Sequence, residues 1–204
     1  MKKIILSVLL LLTIQVGFSQ KPLKLGLNLE SGYVSPLKSS EYSRDYKGGI
    51  SYGGGVYAMR DIWKCFSADI GLSFRQKSYQ QIMIGYWVST DDNFHNEPRS
   101  WVPFYQSQLT VPVHLRIYLT KRFFLVSGIE HAFIVNHKGA KYKSEDNWTL
   151  GFGGHPGKLN WTLTYVEGFQ DRGVIREIEN KQYTSGYKNR TIQLSFYYPL
   201  WQKN

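Results

Sequence analysis

The chain has 204 residues, a formal charge of +10, 42% hydrophobic and 16% aromatic content, and one cysteine. That length suits a single domain. The lone Cys65 excludes an internal disulfide and with it the small stapled folds of the extracellular space.

The N-terminal residues read as a secretory signal peptide. Lys2 and Lys3 supply a positive start, and Ile4 to Ile14 is almost wholly aliphatic. This run is long enough for a signal core and short for a membrane-spanning helix. Gly17-Phe18-Ser19 places small residues where a signal peptidase reads, so residues 1–19 are expected to be removed before Gln20. No cysteine stands at the expected new N-terminus, which argues against a lipoprotein.

Beyond the signal, segment after segment alternates apolar and polar residues, the period of a strand with one face in a hydrophobic medium. Leu23, Leu25, Leu27 and Leu29 share a face in the first strand, and Tyr33 closes the row. Ser35 to Gly49 is polar. A second strand is expected over Ile50 to Met59, with Gly53-Gly54-Gly55 marking close approach or sharp curvature. A short turn, Arg60 to Lys64, leads to a third strand on which Phe66, Ala68, Ile70, Leu72 and Phe74 alternate with Ser67, Asp69, Gly71, Ser73 and Arg75.

Gln76 to Pro103 is a long excursion. Its Ile82, Ile84 and Trp87 predict a hairpin that continues beyond the apolar band and turns near Asp91-Asp92-Asn93. The fourth strand runs from about Phe104 to Tyr118, with Leu109, Val111, Val113, Leu115 and Ile117 on one face. Thr120-Lys121-Arg122 is a tight turn. The fifth strand, Phe123 to Asn136, turns Phe123, Leu125, Ile129, Phe133 and Val135 outward. His137 to Asn147 reads as polar loop, and Trp148 to Gly153 as a short sixth strand. Gly154-His155-Pro156-Gly157 is a turn signal. Leu159, Trp161, Leu163 and Tyr165 mark the seventh strand. Asp171 to Lys188 reads as polar loop, and Arg190 to Trp201 as the eighth strand, with Ile192, Leu194, Phe196, Tyr198 and Leu200 outward.

The connections alternate long and short. Such asymmetry, with an even strand number, predicts an all-β, eight-stranded antiparallel up-and-down transmembrane β-barrel over residues 20–204, located in an outer membrane with both termini on the short-turn, periplasmic side. A negative mean hydropathy is compatible with this, because lipid-facing and lumen-facing residues average out. A soluble periplasmic barrel that turns the same apolar rows inward around a ligand shares the strand count. The sequence does not say which face is inside.

The block from Tyr105 to Phe123, with Val111-Pro112, Arg116 and the turn into the aromatic-led strand that carries Gly128, resembles a strand–turn–strand motif of the PorT-like outer-membrane β-barrel family. The resemblance implies a small bacterial outer-membrane barrel. The family is functionally mixed, and the resemblance implies no one activity. The terminal Phe196-Tyr197-Tyr198-Pro199-Leu200-Trp201 resembles the aromatic signal read by the barrel-insertion machinery, which the resemblance therefore implies as a partner. The chain departs from a strict terminal aromatic, since Gln202-Lys203-Asn204 follow.

Lys24, Glu30, Asp69, Arg75, His114, Arg116 and Glu130 fall on the polar face. Buried charges need partners, and Asp69 and Arg116 lie low on adjacent strands, so a lumen salt bridge between them is expected. A proton or solute path is one use of such residues; a pairing network that plugs a small barrel is the expected one, because eight strands leave room only for side chains.

A lipid A-modifying enzyme is the alternative from another class. It would need a nucleophile, a histidine base and an orienting carboxylate together. Of His95, His114, His131, His137 and His155, none lies two residues before a serine. His95 with Asp91, Asp92 and Glu97 is the best loop cluster, and solvated surface is its ordinary reading. His131 and His137 lack zinc-ligand spacing. The expectation is no catalytic, cofactor or metal residues and no cofactor. No phosphate loop or nucleic-acid motif accompanies the basic balance. Lys38, Arg44, Lys47, Lys138, Lys141 and Lys143 fall in the expected outer loops, where lipopolysaccharide or a protein partner could meet them; ordinary solvated charge is the alternative.

Overall fold

The computed structural model describes residues 22–38, 45–83, 86–88, 94–96, 100–136, 143–169, 172–178 and 181–202. The expected signal segment and the expected turn at Asp91, Asp92 and Asn93 lie outside them.

Period-2 alternation produces eight long strands: β1 (Leu23–Val34), β2 (Gly49–Trp63), β3 (Phe66–Met83), β4 (Ser100–Tyr118), β5 (Phe123–Ile134), β6 (Ser144–Gly154), β7 (Asn160–Gly168) and β8 (Arg190–Gln202). Each pairs antiparallel with its sequence neighbours, and β1 pairs with β8 from Lys24↔Gln202 to Val34↔Thr191. The sheet therefore closes on itself as an eight-stranded up-and-down barrel with no free edge in the ring.

The apolar rows face outward. Leu29 is 67% exposed, Ile129 59% and Phe74 50%, while Arg75 is 1% and Arg116 0% exposed. This arrangement is inside-out relative to a soluble barrel, so the inward-facing, ligand-binding alternative is not the one found. Rings gather at the ends of the band: Trp63 against Phe66 and Phe152 against Trp161 near the short turns, Trp148 against Tyr165 near the long connections.

The glycine run of β2 is a structural necessity. A Cβ on Gly55 would stand 2.0 Å from the Leu72 carbonyl oxygen, and one on Gly53 would stand 2.5 Å from that of Phe74 and 2.8 Å from a Glu30 carboxylate oxygen. Only a residue without a side chain lets β2 press this closely on β3.

Several expected boundaries move. β2 continues through Asp61 to Trp63, leaving Lys64 and Cys65 as the turn. β3 extends to Met83 and β4 starts at Ser100, paired as far as Met83↔Ser100. Beyond them Tyr86–Val88 pairs with Phe94–Asn96, the expected continuation of that hairpin. β6 begins at Ser144, because Glu145 and Asn147 keep the ladder to β5 although they read as loop. Asp171 to Lys188 is not simply loop: Arg172–Ile178 and Lys181–Lys188 form a hairpin, and the latter pairs with Leu37–Lys38. Tyr46–Lys47 adds to β3 at Gln80 and Gln81. Ladder bonds do not require an apolar face, so strands beyond the apolar band leave no hydrophobic period to read.

Candidate functional site in the lumen and at its two mouths

Inward alternation delivers the expected ionisable residues to the lumen and sorts them into two clusters. In the upper one, Arg75 of β3 reaches across the interior. Its Nε and Nη2 donate to Glu30 Oε1 and Oε2 of β1 at 2.7 and 3.2 Å, and its Nη1 and Nη2 donate to Glu130 Oε1 and Oε2 of β5 at 2.7 and 2.7 Å. Gln193 Nε2 donates to Glu30 at 2.9 Å and Asn147 Nδ2 to Glu130 at 3.2 Å. A planar fork of five donors suits this double bidentate role, and lysine would not fill it.

In the lower cluster Asp69 of β3 meets two groups of β4. Arg116 Nε donates to Oδ2 at 2.6 Å, and His114 Nδ1 lies 3.0 Å from Oδ1. The expected Asp69–Arg116 bridge is therefore present. The terminal nitrogens of Arg116 meet rings rather than acceptors: Cζ lies 4.6 Å from the Tyr197 centroid and 5.0 Å from that of Phe124. These cation–π contacts occur in a layer where Tyr57, Met59 and Tyr197 pack together.

Above the upper cluster, Tyr79 of β3 contacts Tyr46, Phe104 and Tyr187 at ring separations of 6.0, 4.9 and 5.8 Å, and the hydroxyls of Tyr79 and Tyr187 are 2.8 Å apart. This aromatic cap joins the first and last long connections over the barrel. At the opposite end Lys24 pairs with Asp61 at 3.3 Å, in the wall of a cavity of about 430 Å³ that opens between the three short turns. Asp61 is not part of the turn that the sequence predicts; the extra length of β2 carries it into this wall.

The lumen is thus filled from side to side by paired charges, and the arrangement suits rigidity rather than passage. Among the described residues, no hydroxyl is hydrogen-bonded to His114, and no three His, Cys, Asp or Glu side chains converge as a metal site requires. Sequence reasoning placed Glu30, Arg75 and Glu130 on the correct face without joining them. Of the other sequence candidates, His131 forms an exposed pair with Asp146 at 2.5 Å, and His155 sits in the third short turn beside Tyr118. Cys65 is exposed in the first short turn. Lys47 lies 4.2 Å over the Trp101 ring, Lys143 is exposed, and Lys38 contributes its backbone to the outer hairpin. Only the backbone of His95 is described, while Glu97, Arg44, His137, Lys138 and Lys141 lie outside the described residues.

No protein-family model and no curated protein matches the chain. Solved structures resemble it in shape. Ail, the attachment invasion locus protein of Yersinia pestis, in complex with the heparin analogue sucrose octasulfate, is 9% identical, with 89% of this chain and 100% of that chain covered and a TM-score of 0.43. A second crystal structure of Ail from Yersinia pestis gives 9%, 89%, 100% and 0.39. A Pseudomonas aeruginosa FadL homologue gives 9%, 88%, 90% and 0.34. At these scores the likeness adds nothing to the strand pairing, from which the barrel follows directly.

Proposed function

We propose that this chain is a small outer-membrane β-barrel of the PorT-like kind, exported by its N-terminal segment. Its role is in binding, envelope structure or envelope assembly, not in catalysis or diffusion. The observation that carries this is the inverted surface. Every barrel strand turns large apolar side chains outward, and water does not tolerate a continuous band of this kind, whereas lipid does. The lumen is crossed by Arg75, so the surfaces left for recognition are the outer connections and the two mouths. The aromatic cap holds two of those connections over the barrel, and Lys47 and Lys143 give the outer side basic groups for anionic lipopolysaccharide. The barrel-insertion machinery is the partner that delivers the chain.

Fractionation of cells expressing the full chain tests the location, with boiled and unboiled samples compared by gel mobility. An outer-membrane band whose migration changes on boiling is expected; a soluble periplasmic protein would overturn the proposal. Turnover of a lipid A substrate that is lost on His95→Ala would overturn the non-catalytic reading.

A further inference from the structure

The cavity at the short-turn mouth has a chemistry that the lumen clusters do not share. Its one carboxylate, Asp61, is already paired with Lys24. Lys64 comes from the first short turn and Lys121 from the second, and neither has a carboxylate partner among the described residues. Two hydroxyls join them. The Thr120 oxygen accepts the backbone N–H groups of Arg122 and Phe123 at 3.2 and 3.0 Å, and the Tyr118 oxygen accepts the Ser67 hydroxyl at 3.4 Å. A hydroxyl that accepts still has its own hydrogen to give. The cavity is therefore lined by two lysines and two hydroxyl-bearing residues, and its single carboxylate is already paired.

The lip of the same cavity is apolar. Trp63 is 67% and Leu119 63% exposed, and both line it. Trp63 stacks beside Phe66, the first lipid-facing ring of β3. The cavity thus runs without a break from a cationic, donor-rich wall to the edge of the lipid-facing band. A ligand that satisfies both parts carries a multi-oxygen anion joined to hydrocarbon.

We infer that this mouth binds the phosphate headgroup of an anionic phospholipid from the adjacent leaflet. Lys64, Lys121, Tyr118 and Thr120 hold the phosphate oxygens, and the chains leave over Trp63 and Leu119. The inference rests on the membrane reading above and goes beyond it, because a barrel needs no particular lipid in order to insert.

The test is native mass spectrometry of the full folded barrel, released from detergent with equal phosphatidylglycerol and phosphatidylcholine, for the parent chain and for Lys64→Gln/Lys121→Gln. Both lysines are in turns outside the strand ladder, and gel mobility before and after boiling confirms that the variant is folded. The parent is expected to retain phosphatidylglycerol preferentially, and the double variant to lose about tenfold of that preference. Soluble sn-glycerol 1-phosphate is expected to compete only weakly, since it lacks the hydrocarbon. Equal retention of the two lipids, or a preference unchanged in the variant, overturns the inference. Variant-sensitive binding of sn-glycerol 1-phosphate without lipid preference overturns the lipid source while keeping the phosphate pocket. A chain found only in the soluble fraction overturns the membrane reading together with this one; an inserted barrel without lipid preference overturns this one alone.

Discussion

The two charge clusters of the lumen use the same chemistry at different ranges. Asp69, His114 and Arg116 sit on β3 and β4, strands that are hydrogen-bonded neighbours, and Asp69 faces His114 directly in the register. Arg75 instead joins β1, β3 and β5, reaching past β2 on one side and β4 on the other. The lower cluster decorates one hairpin. The upper one is a strut between alternate strands, and it depends on the curvature that brings them together. The difference shows that a lumen charge can be settled by its own hairpin or can hold remote walls at a fixed distance.

Unfolding by denaturant in lipid vesicles should separate the two. Arg75→Met leaves two buried carboxylates without their cation and is expected to cost about 3–5 kcal/mol. Combining it with Glu30→Leu and Glu130→Leu removes the stranded charges as well and is expected to recover most of that loss; a triple variant no better than the single one would mean that the strut, not charge compensation, carries the stability. Asp69→Asn keeps an acceptor for Arg116, whose terminal nitrogens already rest on rings, so a smaller cost of about 2 kcal/mol is expected. A cost equal to that of Arg75→Met would erase the distinction. His131→Ala, which breaks a pair that is 39% and 57% exposed, should change stability by about 0–1 kcal/mol and serves as the surface reference.

The contrast also marks how far the sequence could be read. Period-2 alternation puts Glu30, Asp69, Arg75, His114, Arg116 and Glu130 on the polar face, and a place low on adjacent strands pairs Asp69 with Arg116. Nothing in the spacing joins Arg75 to Glu30 and Glu130, because that contact depends on barrel curvature and strand stagger. The strand boundaries show the same limit. Leu72 and Phe74 report the apolar medium, and then Gln76, Ser78 and Gln80 occupy the outer face of β3 while its backbone ladder runs on to Met83. The Arg172–Ile178 hairpin strand and the first residues of β6 look like loop in the sequence for that reason. Alternation records the solvent on each side of a strand, whereas the hydrogen-bond ladder is indifferent to it. Alternation alone does not assign the inverted surface, since the same rows serve a barrel with either face inward; the alternation of long and short connections points to the outward arrangement, which the structure shows.

The seam between β1 and β8 has a consequence in time. Gln193 donates to Glu30 across 163 residues of intervening chain, and every ladder bond of that seam joins the first barrel strand to the last. Hairpins such as β3–β4 can form as soon as their own residues are available, but β1 keeps one row of backbone donors and acceptors unmatched until β8 arrives. Such long-range closure is slow, and an unmatched strand edge is open to pairing with any other extended chain. From the emergence of Leu23 to the docking of Trp201, the nascent protein therefore carries a sticky margin, and whatever escorts it to the membrane must shield that margin until the ring shuts.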